Sequence, residues 1–195
     1  MRYDAEHKQK TRQRVVQEAA KAIRAEGPHR IAVAGVMAKA GLTHGGFYAH
    51  FASKDDLVLA AMDQMFDDAR ARVIKEMGDL PPARGLSAYI EFYLSPAHRD
   101  ARLFGCPMPA LAADLPRLPA DAQKLFGDRV AALTERFTAL LGQLGRIEPA
   151  DDASSMVAEL VGALSLARAE PDPARSDAIL DRSKRLLKRR MGLEA

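Results

Sequence analysis

The residues best equipped for chemistry lie between Thr43 and Lys54, in the run THGGFYAHFASK. Thr43, His44, Tyr48, His50 and Lys54 supply a hydroxyl, two imidazoles, a phenol and an ammonium, all able to hydrogen-bond an oxygen-rich partner. Gly45 and Gly46 sit among them, and a glycine weakens a short helix by about 1 kcal/mol relative to alanine. Something must offset that loss. A backbone without side chains can approach a phosphate or a base edge closely, and the first-turn N–H groups of a helix are ready anion donors. Catalytic spacing, by contrast, is absent: there is no Walker loop, no HExxH and no nucleophile elbow, so an enzyme is not expected. His44 and His50 stand six apart while His7, His29 and His98 are scattered, so neither a metal nor a cofactor is expected.

The charge distribution agrees with a polyanionic partner. Residues 1–54 carry 10 Lys and Arg against 4 Asp and Glu, a net +6, whereas residues 55–195 carry 19 against 22 and are mildly acidic. A basic front end attracts a polyanion and releases its counterions on binding. Hydrophobic content of 48% and charged content of 28% are those of an ordinary globular chain. No apolar run is long enough for a membrane span, and the opening MRYDAEHKQK lacks the apolar core of a signal peptide, so a cytoplasmic protein is expected. Its single cysteine, Cys106, fits a reducing compartment.

The elements that must position these groups all read as helices. Val15, Val16, Ala19, Ala20 and Ile23 describe an amphipathic first helix over residues 8–26, stopped by Gly27 and Pro28. Val33, Val36, Met37 and Ala40 give a short second helix, with Gly41 where a helix end favours a left-handed residue. Thr43 is placed to cap a third short helix reaching about His50, and Ser53 with Asp56 forms a capping-box pattern that opens a long fourth helix. Further helices are expected over 86–94, 122–144, 150–169 and 173–191, while Pro107, Pro109, Pro116 and Pro119 predict an irregular stretch over 96–119.

Helix, glycine turn and helix within Val33 to Phe51 match the spacing of a helix-turn-helix, whose second helix lies in the DNA major groove. The run GLTHGGFYAHFASKDDL, Gly41 to Leu57, resembles the DNA-reading signature of the TetR/AcrR family of transcriptional regulators, and the likeness extends through the first helix and on to Met62. LVGALSLARAEPDPARSDAIL, Leu160 to Leu180, is similar to the last two helices of many members, the pair that dimerises. The resemblance implies an all-α fold of about nine helices. Residues 1–54 would form the DNA-binding helix-turn-helix domain and residues 55–195 the effector-binding and dimerisation domain.

On this reading Thr43 and His44 reach base edges, Gly45 and Gly46 permit close approach, and Tyr48, His50 and Lys54 hold phosphates. Lys10, Thr11 and Arg12 match positions where family members touch the DNA backbone, although a charge run is usually a solvated face. Phe47 and Phe51, at i and i+4, read as core anchors. Ala32 departs from the pattern: the family commonly has a Ser or Thr there to cap the second helix and reach a phosphate.

A regulator needs a second site whose ligand favours one conformation over another. Met62, Met65, Phe66, Tyr89, Phe92, Tyr93, Phe104, Met108, Phe126 and Phe137 are the candidates for an apolar effector cavity, or they simply fill the core. Cys106 joins them as an electrophile- or oxidant-sensing thiol beside Arg102, or as a small buried apolar residue. Val157, Leu160, Val161 and Leu164 form one stripe, and Ile179, Ser183, Leu186 and Leu187 another, which suits a homodimer built as a four-helix bundle. Lys184, Arg185, Lys188, Arg189 and Arg190 read as helix-dipole partners and solvated charge.

The expected function is a repressor that leaves a palindromic operator in double-stranded DNA when it binds a small-molecule or electrophile effector. Alternatives are a small all-helical cytosolic enzyme, for which no catalytic spacing exists, and a DNA-coating protein without regulation, against which the acidic C-terminal portion argues.

Overall fold

The computed structural model describes residues 2–193, and they contain helices and turns but no strand. The chain divides into two compact units. The first comprises residues 2–68 and Cys106–Phe126; the second comprises Ala69–Gly105 and residues 127–193.

In the first unit, α1 (Arg2–Glu26) begins earlier than its apolar pattern, but Val15, Val16, Ala19, Ala20 and Ile23 are all buried as expected. It ends where the sequence stops it: Gly27 adopts φ 84° and its N–H closes on the Ile23 carbonyl at 2.9 Å. Helix α2 (Val33–Lys39) buries Val36 and Met37 against α1 and the segment that follows. Gly41, at φ 74°, donates to the Ala38 carbonyl while Leu42 donates to that of Met37, the paired bonds of a Schellman stop. The front of α3 (Lys54–Met77) adds Leu57, Val58, Ala61, Met62 and Met65 to the same core, and Leu111, Leu118 and Ala122 complete it. Arg24 lies inside this unit with its side chain only 2% exposed, bonded to Asp68 at 3.0 Å and to the Met65 carbonyl at 3.3 Å. A buried guanidinium without such acceptors would be strongly destabilising.

The second unit is built on α4 (Pro82–Tyr93), α8 (Pro149–Ala169) and α9 (Pro173–Arg190). Leu86, Tyr89, Ile90 and Tyr93 recur at i, i+3, i+4 and i+7 and are buried, and α4 packs on both α8 and α9. Each of these helices carries a proline in its first turn, where a missing N–H costs nothing. The rear half of α7 (Ala120–Gln143) contributes Phe137 and Leu141.

The proline-rich stretch 96–119 is broken, as the prolines predict, but it is not without order. It forms α5 (Pro96–Asp100), α6 (Pro107–Leu111) and two 3-10 turns, Arg102–Phe104 and Leu115–Arg117. Pro96 and Pro107 open the two short helices, and Pro109 still lies within the first turn of α6, where no intrahelical donor is lost.

Candidate nucleic-acid interface

The third element of the helix-turn-helix differs from its expected form: His44–Ala49 is a 3-10 helix. Glycines at its second and third positions remove the propensity that would sustain a wider turn, and short 3-10 pieces are the usual outcome. Thr43 occupies the N-cap position with extended backbone, yet its side chain makes no capping bond, so the capping expectation is corrected and its hydroxyl points to no backbone donor of its own segment. The capping box at the next helix does form. Ser53 Oγ accepts from the Asp56 N–H at 3.1 Å, and the Asp56 carboxylate accepts from the Ala52 N–H, one residue earlier than the usual reciprocal bond.

Neither glycine is demanded by the fold. Both keep ordinary negative φ, a Cβ at Gly45 would meet nothing within 4 Å, and one at Gly46 would only touch Met37 Cε at 3.8 Å. The anchoring falls to Phe47 and Phe51, each 2% exposed and stacked with centroids 5.6 Å apart. Thr43, His44 and Gly45 are exposed, and Tyr48 is 75% exposed, resting edge-on against Phe47. A large, uncovered phenol beside an exposed glycine is an economical surface for an external partner.

Helix α1 brings positive charge to this segment. The Arg12 guanidinium lies over the Phe51 ring, 4.8 Å from its centroid. His50 Nδ1 is buried without a hydrogen-bond partner, and burial, with the Lys8 and Arg12 charges, lowers the pKa of the ring. Lys54 Nζ donates to the His29 carbonyl at 3.0 Å, which fixes its ammonium at the start of α3. Lys10 is exposed and paired with Glu6 at 2.8 Å, whereas Thr11 is only 6% exposed. Lys8 had no signal in the sequence beyond general basicity.

Ala32 takes the N-cap position of α2, with φ −96° and ψ 119°, and no side chain caps the helix. Ala32→Ser is expected to stabilise the protein by about 1 kcal/mol. Thermal melting would show this as a rise of about 2–4 °C, and no rise would mean that the α2 N-terminus is already satisfied.

The effector candidates fall in both units. Met62, Met65, Phe66, Met108, Phe126 and Cys106 belong to the first, where Phe66 meets Phe126 edge-on at 5.5 Å and Cys106 is 8% exposed at the N-cap of α6. Tyr89, Phe92, Tyr93, Phe104 and Phe137 belong to the second. Tyr89 gathers Phe92, Tyr93 and Phe137 around it at centroid distances of 5.4–6.5 Å, while Phe104 is 64% exposed. Among the dimer candidates, Val157, Leu160, Leu164 and Leu187 are covered within the single chain, and Leu186 is 44% exposed with Val161, Ile179 and Ser183 half-buried. Leu166, 63% exposed on α8, was not foreseen. The basic end of α9 is partly paired: Lys184 and Lys188 reach Glu91 at 3.2 and 2.9 Å, and Arg190 reaches Glu159 at 2.6 Å.

Residues 15–61 match the family described as bacterial regulatory proteins, tetR family. Among solved structures, a TetR transcriptional regulator from Chloroflexus aurantiacus J-10-FL is 28% identical, with 93% of this chain and 94% of that chain covered at a TM-score of 0.79. A TetR-family regulator from Agrobacterium tumefaciens is 26% identical over 93% of this chain and 98% of that chain, also at 0.79. Reduced NemR from E. coli shares the fold at a TM-score of 0.80 with 18% identity, over 92% of this chain and 96% of that one. No curated protein sequence matches the chain. Fold and helix-turn-helix together define a DNA-binding transcription regulator. Residues 15–61 are thus a TetR-family segment, and the fold of the chain is that of TetR-family regulators. No helix among the described residues is long and apolar enough to cross a membrane.

Proposed function

We propose that this regulator is a homodimeric repressor that holds an inverted-repeat operator and releases it when an effector binds. The observation that carries the reading is the pair Gly45 and Gly46, which the fold itself does not require and which lie beside the exposed Thr43, His44 and Tyr48. Thr43 and His44 read base edges; Tyr48, His50, Lys54, Lys10 and Arg12 hold phosphates and set the register. Residues 1–54 serve DNA, and residues 55–195 serve effector and dimer.

Pairing of two copies uses the outer faces of α8 and α9, where Val161, Leu166, Ile179, Ser183 and Leu186 remain for a partner. Two recognition segments then address half-sites about one helical turn apart, roughly 34 Å. The effector enters the apolar interior among the aromatic and methionine residues, and Cys106 either packs there or reacts with electrophiles; Cys106→Ser, assayed for release by oxidants and electrophiles, separates these two roles.

Selection of bound duplexes from a random DNA pool, followed by titration of the best sequence at physiological salt, tests the proposal. An enriched inverted repeat bound at least about a thousandfold more tightly than scrambled DNA is expected. Uniformly weak, sequence-independent binding would overturn it.

A further inference from the structure

The second unit holds an open cleft of about 210 Å³ between the end of α5, the end of α8 and the turn into α9. Its walls are rich in charge, and most of that charge is already committed. Both Asp100 oxygens accept from Arg99, at 2.8 and 3.1 Å, and Arg99 Nη1 also donates to Ser176 and Asp177 at 2.8 and 2.6 Å. Glu170 Oε1 accepts from the Asp172 N–H at 2.9 Å and from Arg175 at 3.0 Å. Arg168 donates to the carbonyls of Arg99 and His98, both at 3.1 Å, and lies so close to Gly105 that a Cβ there would sit 2.6 Å from its Nη2. That glycine makes room for the guanidinium.

Arg102 is different. It is exposed, lines the same cleft, and places one Nη2 bond on the Arg168 carbonyl at 3.1 Å. A guanidinium has five N–H donors in a planar fork that matches a carboxylate, so most of its capacity faces outward beside two proline rings, Pro171 and Pro173.

We propose that this cleft binds a small organic carboxylate, held by the Arg102 guanidinium with its carbon skeleton against Pro171 and Pro173. The carboxylates already in the wall, Asp100 and Glu170, disfavour a doubly charged phosphate, whereas a single negative charge is offset by Arg102 and Arg168. The cleft is smaller than a drug-sized pocket, which limits the ligand to roughly the size of benzoate. Its occupant would touch α8 and the turn that leads into α9.

Thermal melting of the full chain with sodium benzoate, against sodium chloride at equal ionic strength, tests this without reference to DNA. A saturable rise in Tm is expected from ligand binding to the folded state alone. Arg102→Gln should weaken the apparent Kd by at least about tenfold, the value of one charged hydrogen bond, with each variant's rise measured against its own unliganded melt. Arg102→Lys keeps the charge without the fork and should give an intermediate Kd. No saturable rise, a rise undiminished in both variants, or a rise with inorganic phosphate and none with benzoate would each overturn the assignment.

Discussion

Gly45→Ala is expected to leave the protein folded, make it slightly more stable and cost it most of its operator affinity. The stability gain follows from local physics. Gly45 has negative φ and open space where a Cβ would go, so alanine adds no strain and restricts the unfolded chain, stabilising by up to about 1 kcal/mol. In a melt this is a rise of about 2–4 °C. The affinity loss follows from the same open space. If a DNA backbone or base edge occupies it, a methyl group there pushes the recognition segment outward and loosens contacts worth about 1–3 kcal/mol each, a drop of roughly tenfold or more. Gly46→Ala should act in the same direction, with an added ordinary contact to Met37. Calorimetric melting and fluorescence titration of a selected operator give the two numbers on one preparation. Unchanged affinity in both variants would mean that nothing approaches these glycines and that the interface lies elsewhere.

The contrast between stability and binding explains what the sequence made legible. Where a side chain answers to its own helix, the sequence pattern suffices. Val15, Val16, Ala19, Ala20 and Ile23 are inward because they share a face at the helical period, and Gly41 is left-handed because its helix must end there. The Ser53–Asp56 pair is equally local. The pattern of apolar residues on α8 was visible too, but a stripe does not say whether it meets its own chain or a second copy. Leu160 and Leu164 are covered internally, and Leu166, two positions on, is the exposed one. The 3-10 form of His44–Ala49 depends on a balance between glycine propensity and the anchoring of Phe47 and Phe51, which periodicity does not weigh. The arginine cleft left no trace at all: Arg99 and Arg102 meet Arg168 and Ser176 only through tertiary packing across more than sixty residues of chain.

Acid should destabilise the second unit through His98. Its ring stacks on Phe92 at 4.9 Å, meets Tyr93 edge-on, and is 5% exposed. Because a carbonyl can only accept, the 2.9 Å contact between Nδ1 and the Tyr93 carbonyl requires a proton on Nδ1, which is the tautomer that the neutral ring holds. Burial opposes a second proton; the Tyr93 bond favours it, and the Arg168 and Arg72 charges oppose it, leaving the pKa lowered from 6.5 to about 4. Between those values the unfolded chain binds the proton and the folded one does not. Stability from this group is therefore complete above pH 6.5 and is lost progressively as pH falls towards 4, by about 3 kcal/mol in all at 1.36 kcal/mol per pH unit. His98→Asn keeps a donor for the Tyr93 carbonyl and removes the titration. It carries a constant packing penalty, but the difference between wild type and variant, followed by urea unfolding from pH 7 to pH 4, should shrink or reverse by about that amount. Parallel pH profiles for the two proteins would show that the imidazole is already protonated at neutral pH or that the folded chain accommodates the charge, and either result would remove His98 as the source of acid sensitivity.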